Sequence, residues 1–149
     1  MENLKSLITD KETWTSARVK GNQVTSLLRY RTNLQDFIKT DKYNTRLTIT
    51  WNYNSTDISL MPNEKEMDLM NKVENALVEN FEHDLQAVLA FVFLGENRKE
   101  WYWYTKDIEE IADRVNSALS EFDELPIELS CESDSNWNEY KDVIEFVKE

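Results

Sequence analysis

Residues 86–104, QAVLAFVFLGENRKEWYWY, carry the reading that decides the fold. From Gln86 to Leu94 the chain is apolar at both parities, which predicts a strand covered on both faces. Gly95, Glu96, Asn97 and Arg98 then turn it into a short aromatic strand, Glu100 to Tyr104, so the two form a hairpin. In that second strand Trp101 and Trp103 share one face, and Tyr102 and Tyr104 take the other.

Upstream, Arg46 to Tyr53 alternates, with Leu47, Ile49, Trp51 and Tyr53 on one side: a half-buried strand. After Met61-Pro62, Asn63 caps a helix with Glu66 in capping-box position. Met70, Val73, Leu77 and Phe81 follow at helical spacing, and the helix is expected to run to about Asn80. Downstream, Thr105 is the expected cap of a helix whose stripe is Ile108, Ile111, Ala112, Val115, Leu119 and Phe122. Pro126 to Cys131 gives another strand. Asp134 or Ser135 starts a last helix, about 135–148, with Tyr140, Val143, Ile144 and Val147 on its buried side.

Residues 46–131 thus read βαββαβ, the order of the ferredoxin-like split βαβ with its antiparallel sheet. Two earlier segments, Trp14 to Val19 and Val24 to Tyr30, read as a β-hairpin (about 13–30) turned at Gly21-Asn22. The expected fold class is α+β: one domain over 1–149, a ferredoxin-like core, an N-terminal hairpin and an extra C-terminal helix. A 4-1-3-2 order makes the aromatic strand central, and the final helix is expected to pack on the sheet through Trp137 and Tyr140. Either that helix or the hairpin has to cover the second face of the Gln86 to Leu94 strand.

A chain of 149 residues can bury roughly 68–70% of its unfolded surface without staples. Its net charge of −12 argues against binding nucleic acid or an anionic membrane electrostatically. One Cys and one His exclude an internal disulfide framework and Cys- or His-rich metal centres, so no cofactor or metal is expected. Two glycines are too few for a phosphate-cradling loop. No segment reaches the roughly 18–20 apolar residues of a membrane span, and the N-terminus has no apolar stretch of signal-peptide length; a cytoplasmic protein is expected. The charge is uneven: residues 1–60 hold 9 basic and 6 acidic groups, 61–105 hold 4 and 9, and 106–149 hold 4 and 14. The acidic C-terminal third is either a set of solvated helix faces or a docking surface for a basic partner.

Candidate chemical residues are few. His83, near Glu79 and Asp84, reads as a polar loop residue rather than a base. Cys131 reads as a small buried core residue, since nothing in the sequence supplies a base for it. Carboxylate pairs such as Glu109/Asp113 arise by chance among 29 acids. The aromatics stand out more: Trp14, Trp51, Trp101, Trp103, Trp137, Tyr102, Tyr104 and Tyr140. Stacking of RNA bases is disfavoured by Thr48, Thr50 and Asn52 on the neighbouring strand, which leaves burial under the extra elements or a binding patch.

The string Arg98-Lys99-Glu100-Trp101-Tyr102-Trp103-Tyr104 after Gly95 resembles the G…R-E-W-x-x-Y segment of the bacterial family called domain of unknown function 695. Trp51-x-Tyr53 before Met61-Pro62, Pro126-Ile127, and Asp134-x-x-Trp137-x-x-Tyr140 agree with it in order, over roughly Trp14 to Tyr140. The chain departs by inserting Lys99 between the Arg and the Glu, which reverses the face of Arg98 on a strand, and by Ser135 in place of a Pro. Some members of that family are similar to, or fused with, the regulator of ribonuclease E activity B, an acidic α+β inhibitor protein. The resemblance transfers no activity.

Two functional expectations follow. The first is a non-enzymatic interaction or regulatory module whose acidic third, together with exposed aromatics, binds a basic protein; an immunity-like protein against a basic toxin fits equally. The alternative is a small-molecule binder or small enzyme with an aromatic and acidic pocket. The candidate interaction or pocket residues are Arg98, Trp101, Tyr102, Asp134, Trp137 and Tyr140.

Overall fold

Cross-strand pairing of the two central aromatic segments organises the molecule. A computed structural model describes residues 4–9, 14–20 and 24–148. Its elements are α1 (Leu4–Thr9), β1 (Trp14–Lys20), β2 (Thr25–Arg31), α2 (Gln35–Lys39), β3 (Thr45–Asn52), α3 (Glu64–Glu82), β4 (Ala87–Gly95), β5 (Arg98–Thr105), α4 (Ile108–Ala118), β6 (Ile127–Ser133) and α5 (Asn138–Lys148). The six strands form one antiparallel sheet in the order β1-β2-β4-β5-β3-β6. The chain is α+β. β5 lies between β4 and β3, the interior place its aromatics need. β1 and β2 pair as expected and extend the sheet beyond β4, while the Gly21-Asn22 turn lies outside the described residues. The short helices α1 and α2 were not legible in the apolar pattern.

Local chemistry sets the element ends. The Asn63 side chain accepts from Glu66 N at 2.8 Å, as its spacing implies, and α3 then runs two residues past Asn80. At α4 the expected cap is corrected: Asp107, not Thr105, accepts the amides of Glu109 and Glu110 at 2.9 and 3.3 Å. The Thr105 hydroxyl donates instead to Gln86 O, tying the end of β5 to the start of β4. The β4–β5 turn holds Glu96 and Asn97 at φ 53° and 66°, the left-handed geometry of a primed hairpin turn that matches strand twist. Gly95 precedes it because Ser26 of β2 stands where its Cβ would be.

The sheet buries both faces. On one, α3 and α4 cover Leu47, Ile49, Trp51, Leu89, Val92, Trp101 and Trp103. On the other, α5 and α2 cover Leu28, Tyr30, Val88, Ala90, Phe91 and Tyr104, with Phe37, Tyr43, Trp137 and Tyr140 contributed from above. The final helix therefore supplies the second cover. β4 serves both layers through a bulge: Leu89 is opposite Trp103 and Phe91 opposite Tyr102, so the parity changes at Ala90. A buried ion pair secures that irregularity. Glu82 Oε2 accepts from Leu89 N at 2.8 Å, Arg31 Nη1 donates to Leu89 O at 3.0 Å, and Arg31 and Glu82 pair at 2.9 Å. Backbone groups freed by the bulge thus find partners in a place closed to water.

Candidate functional site

The Asp134-x-x-Trp137-x-x-Tyr140 segment links β6 to α5, and each of its three named residues is committed to that junction. The Asp134 carboxylate accepts the amides of Asn138 and Glu139 at 2.8 and 3.2 Å, meeting the unpaired N–H groups at the start of α5. It also accepts from Tyr104 Oη at 2.8 Å and pairs with Arg46 at 3.0 Å. Burial works against its charge, but these donors win and hold its pKa below the ordinary aspartate value. Burial pushes the Tyr104 hydroxyl the other way, with Asp134 reinforcing it. Trp137 stacks on Tyr104 with ring centroids 3.8 Å apart and donates its indole N–H to Tyr43 O at 2.9 Å. Those contacts hold Trp137 at φ 58°, a left-handed conformation that a bulky residue rarely adopts. Tyr140 meets Trp137 edge-on and donates to Arg31 O at 2.6 Å. The motif locks the final helix over the sheet.

Trp101 stands on the opposite face. It is fully buried, edge-on to Trp51, and donates its indole N–H to Glu74 Oε1 at 2.8 Å. Tyr102 lies on the α5 side, stacked on Phe91 at 4.2 Å. Arg98 also falls on that side, over the Phe93 ring and between Glu96 and Glu100. The inserted Lys99 has taken the Trp101 face, with its ammonium 5.0 Å from the Trp101 ring. The six candidates therefore divide into Asp134, Trp137 and Tyr140 as one cluster, with Tyr102 and Arg98 farther along the same face and Trp101 across the sheet.

Order and spacing of these residues agree with a match to a family of unknown function, DUF695, over residues 12–144. The chain belongs to that family. No curated protein sequence matches it. In this DUF695 protein the motif residues build the two covered faces, which directs attention to the edges.

Among the described residues β6 pairs only with β3 and ends the sheet. Every residue from Glu128 to Ser133 is exposed, including Leu129 and, against the sequence expectation, Cys131. The helices cover only the start of this edge strand, at Ile127, so Cys131 farther along is a surface thiol rather than a core residue. Beside β6 lies a hollow of about 280 Å³ lined by Val115, Leu119, Phe122, Leu125, Ile127 and Leu129, with Asp123 and Glu124 at its border. Between Arg114 and Lys141 the sequence carries seven acidic residues and no basic one. At the other edge β1 bears Arg18 and Lys20, and no acid occurs between residues 14 and 35. His83 is exposed beside Asp84, and no group of three metal-ligating side chains occurs among the described residues. No helix among them is long and apolar enough to cross a membrane.

Proposed function

We propose that the DUF695 chain is a non-enzymatic interaction module, and that its β6 edge receives an extended basic segment of a protein partner by strand addition. The carrying observation is the coincidence at β6 of a sheet edge with no further strand among the described residues, an exposed Leu129 beside a hollow lined by Val115, Phe122 and Ile127, and the acids Asp123, Glu124 and Glu128 around it. Main-chain hydrogen bonds would supply affinity, alternate apolar side chains would enter the hollow, and Lys or Arg side chains would face Asp123, Glu124 and Glu128. Acidic complementarity speeds encounter and weakens with salt. We read residues 46–131 as a ferredoxin-like core on the strength of the β4-β5-β3-β6 neighbour order, and the protein as bacterial and cytoplasmic, a lone exposed thiol being suited to a reducing compartment. The resemblance of some family members to the regulator of ribonuclease E activity B, an acidic inhibitor, favours by analogy a regulatory role.

The test uses an eight-residue peptide of alternating Lys and Val, titrated calorimetrically at low and moderate salt. Saturable binding that weakens with salt and is lost in Leu129→Lys supports the reading. Equal binding by wild type and Leu129→Lys sinks it.

A further inference from the structure

Beneath α3, at the start of the interior strand β5, stands a lysine whose charge the neighbouring residues leave incompletely answered. Lys99 is second in β5, on the parity of Trp101, so its side chain runs beneath α3 rather than to solvent; only 7% of it is exposed. Its one carboxylate neighbour among the described residues, Glu74 Oε1, is 3.6 Å away, beyond a hydrogen bond. That same oxygen already accepts from Arg29 at 2.6 Å and from the Trp101 indole at 2.8 Å. Two cations therefore share one carboxylate. Arg31 does not alter this balance, because Glu82 answers it at 2.9 Å. An ammonium has three protons to donate, and burial without acceptors disfavours its charge; Lys99 is accordingly held below the ordinary lysine pKa by burial, with Arg29 adding repulsion and Glu74 opposing it.

The space beside this ammonium has a definite character. A cavity of about 160 Å³ is bordered by Lys99 and Arg29, by the Ser16 side of β1, and by Leu27, Val92 and Leu94. At the ~30 Å³ that a water takes in the liquid, it has room for a few atoms beyond an anionic head.

We propose that this niche binds a small aliphatic carboxylate. The carboxylate would accept from Lys99 Nζ and from the Arg29 guanidinium, supplying the missing negative charge, and a short alkyl tail would lie on Leu27, Val92 and Leu94. The apolar border disfavours inorganic oxyanions, which need donors on every side. The volume suits a short alkyl tail rather than a long chain held within it. This niche lies across the sheet from β6, so its occupancy is independent of peptide binding there.

Butyrate is the probe, titrated into the full chain while backbone amide resonances are followed by NMR. The expected result is saturable shifts confined to β1, β2, β4 and the start of β5, with no comparable shifts from butyramide, which has the same shape without the charge. Lys99→Met should weaken butyrate binding at least about tenfold, the loss expected when a charge-assisted hydrogen bond goes. Ser16→Trp, at an exposed β1 position, should block the niche without disturbing the core, and decides the matter if Lys99→Met fails to fold. Equal shifts from butyramide, unsaturable or scattered shifts from butyrate, or full affinity in Ser16→Trp would overturn the proposal. Equal or tighter binding of N-acetylvaline, which stands in for a peptide C-terminus, would overturn the assignment to a free acid.

Discussion

The two edges of the sheet, β1 and β6, are both exposed yet oppositely built. β1 carries the exposed Arg18 and Lys20 and no acid, while Arg29 and Arg31 of the neighbouring β2 are already engaged by Glu74 and Glu82. Charged side chains of this kind on an edge strand are a common guard against pairing with another chain. β6 has no basic residue, offers Leu129 to solvent, and borders an apolar hollow among acids. The proposed strand addition therefore falls to β6, whose surrounding acids suit a partner of basic character. Over most of both faces the helices and aromatic side chains already fill the space among the described residues. Net charge and aromatic content, which dominate the composition, are thus separated in space: the aromatics hold the helices on the faces, and much of the acidity lies around the β6 edge.

That division is broken most decisively by a face residue that proves to bind. Trp101 is buried against Trp51 and hydrogen-bonded to Glu74, so Trp101→Ala should cost about 3–5 kcal/mol, as large-to-small changes in cores do. Chemical denaturation measures it, alongside peptide binding by the fraction that folds. Near-wild-type stability with lost binding would place function on the face.

Asp134→Asn tests the other face more gently. Keeping the shape while removing the charge should cost about 1.5–3 kcal/mol at pH 7, the range for hydrogen bonds to charged groups. Folding holds this carboxyl below its unfolded value of about 3.9, so its contribution is present above that pH and fades as acid protonates the folded form. Urea midpoints of wild type and variant should therefore differ at pH 7 and approach one another below pH 4 (about the unfolded value). A gap independent of pH would mean that shape, not charge, is what Asp134 contributes.

These two residues also mark how far the sequence could be read. The parity of Glu100 to Tyr104, the Asn63 cap and the stripe of α5 are local patterns, and each led to the element observed. Whether Trp101 and Trp137 share a pocket depends on which face each strand turns toward which helix, and that is decided by pairing between distant segments. The Ala90 bulge was hidden because an all-apolar strand has no alternation to interrupt. Lys99 was legible as an insertion, but its burial beside Glu74 and Arg29 unites β5, α3 and β2 and leaves no local trace. The expected cap, Thr105, reaches β4 instead, and Asp107 two residues on caps α4, a choice set by the β4–β5 contact rather than by local pattern.

A charge reversal sharpens the contrast between edges. Glu124→Lys combined with Glu128→Lys lies on exposed positions, so stability should change by no more than about 0.5 kcal/mol per site. Binding of the Lys–Val peptide should nonetheless fall at least about tenfold at low salt and less at moderate salt, where screening already weakens the attraction. The matching reversal at β1, Arg18→Glu with Lys20→Glu, should leave peptide binding unchanged; calorimetric titration of both variants compares the edges directly.

The smallest expected effect belongs to Cys131. As a buried core residue it would resist thiol reagents until the protein unfolds, and its replacement would disturb packing. On the exposed β6 edge neither holds. Cys131→Ser should shift stability by less than about 0.5 kcal/mol, and the wild-type thiol should react with a chromogenic disulfide in native buffer at a rate near that of the unfolded chain. The same reaction reports on the edge itself. Cys131 lies between Ser130 and Glu132, at the centre of the row that a strand added to β6 would cover. Saturating peptide should therefore slow labelling severalfold, in proportion to the fraction bound, as mass action requires. Rapid labelling that the bound peptide leaves untouched would put the peptide elsewhere on the acidic surface, and would reduce the difference between β1 and β6 to charge alone.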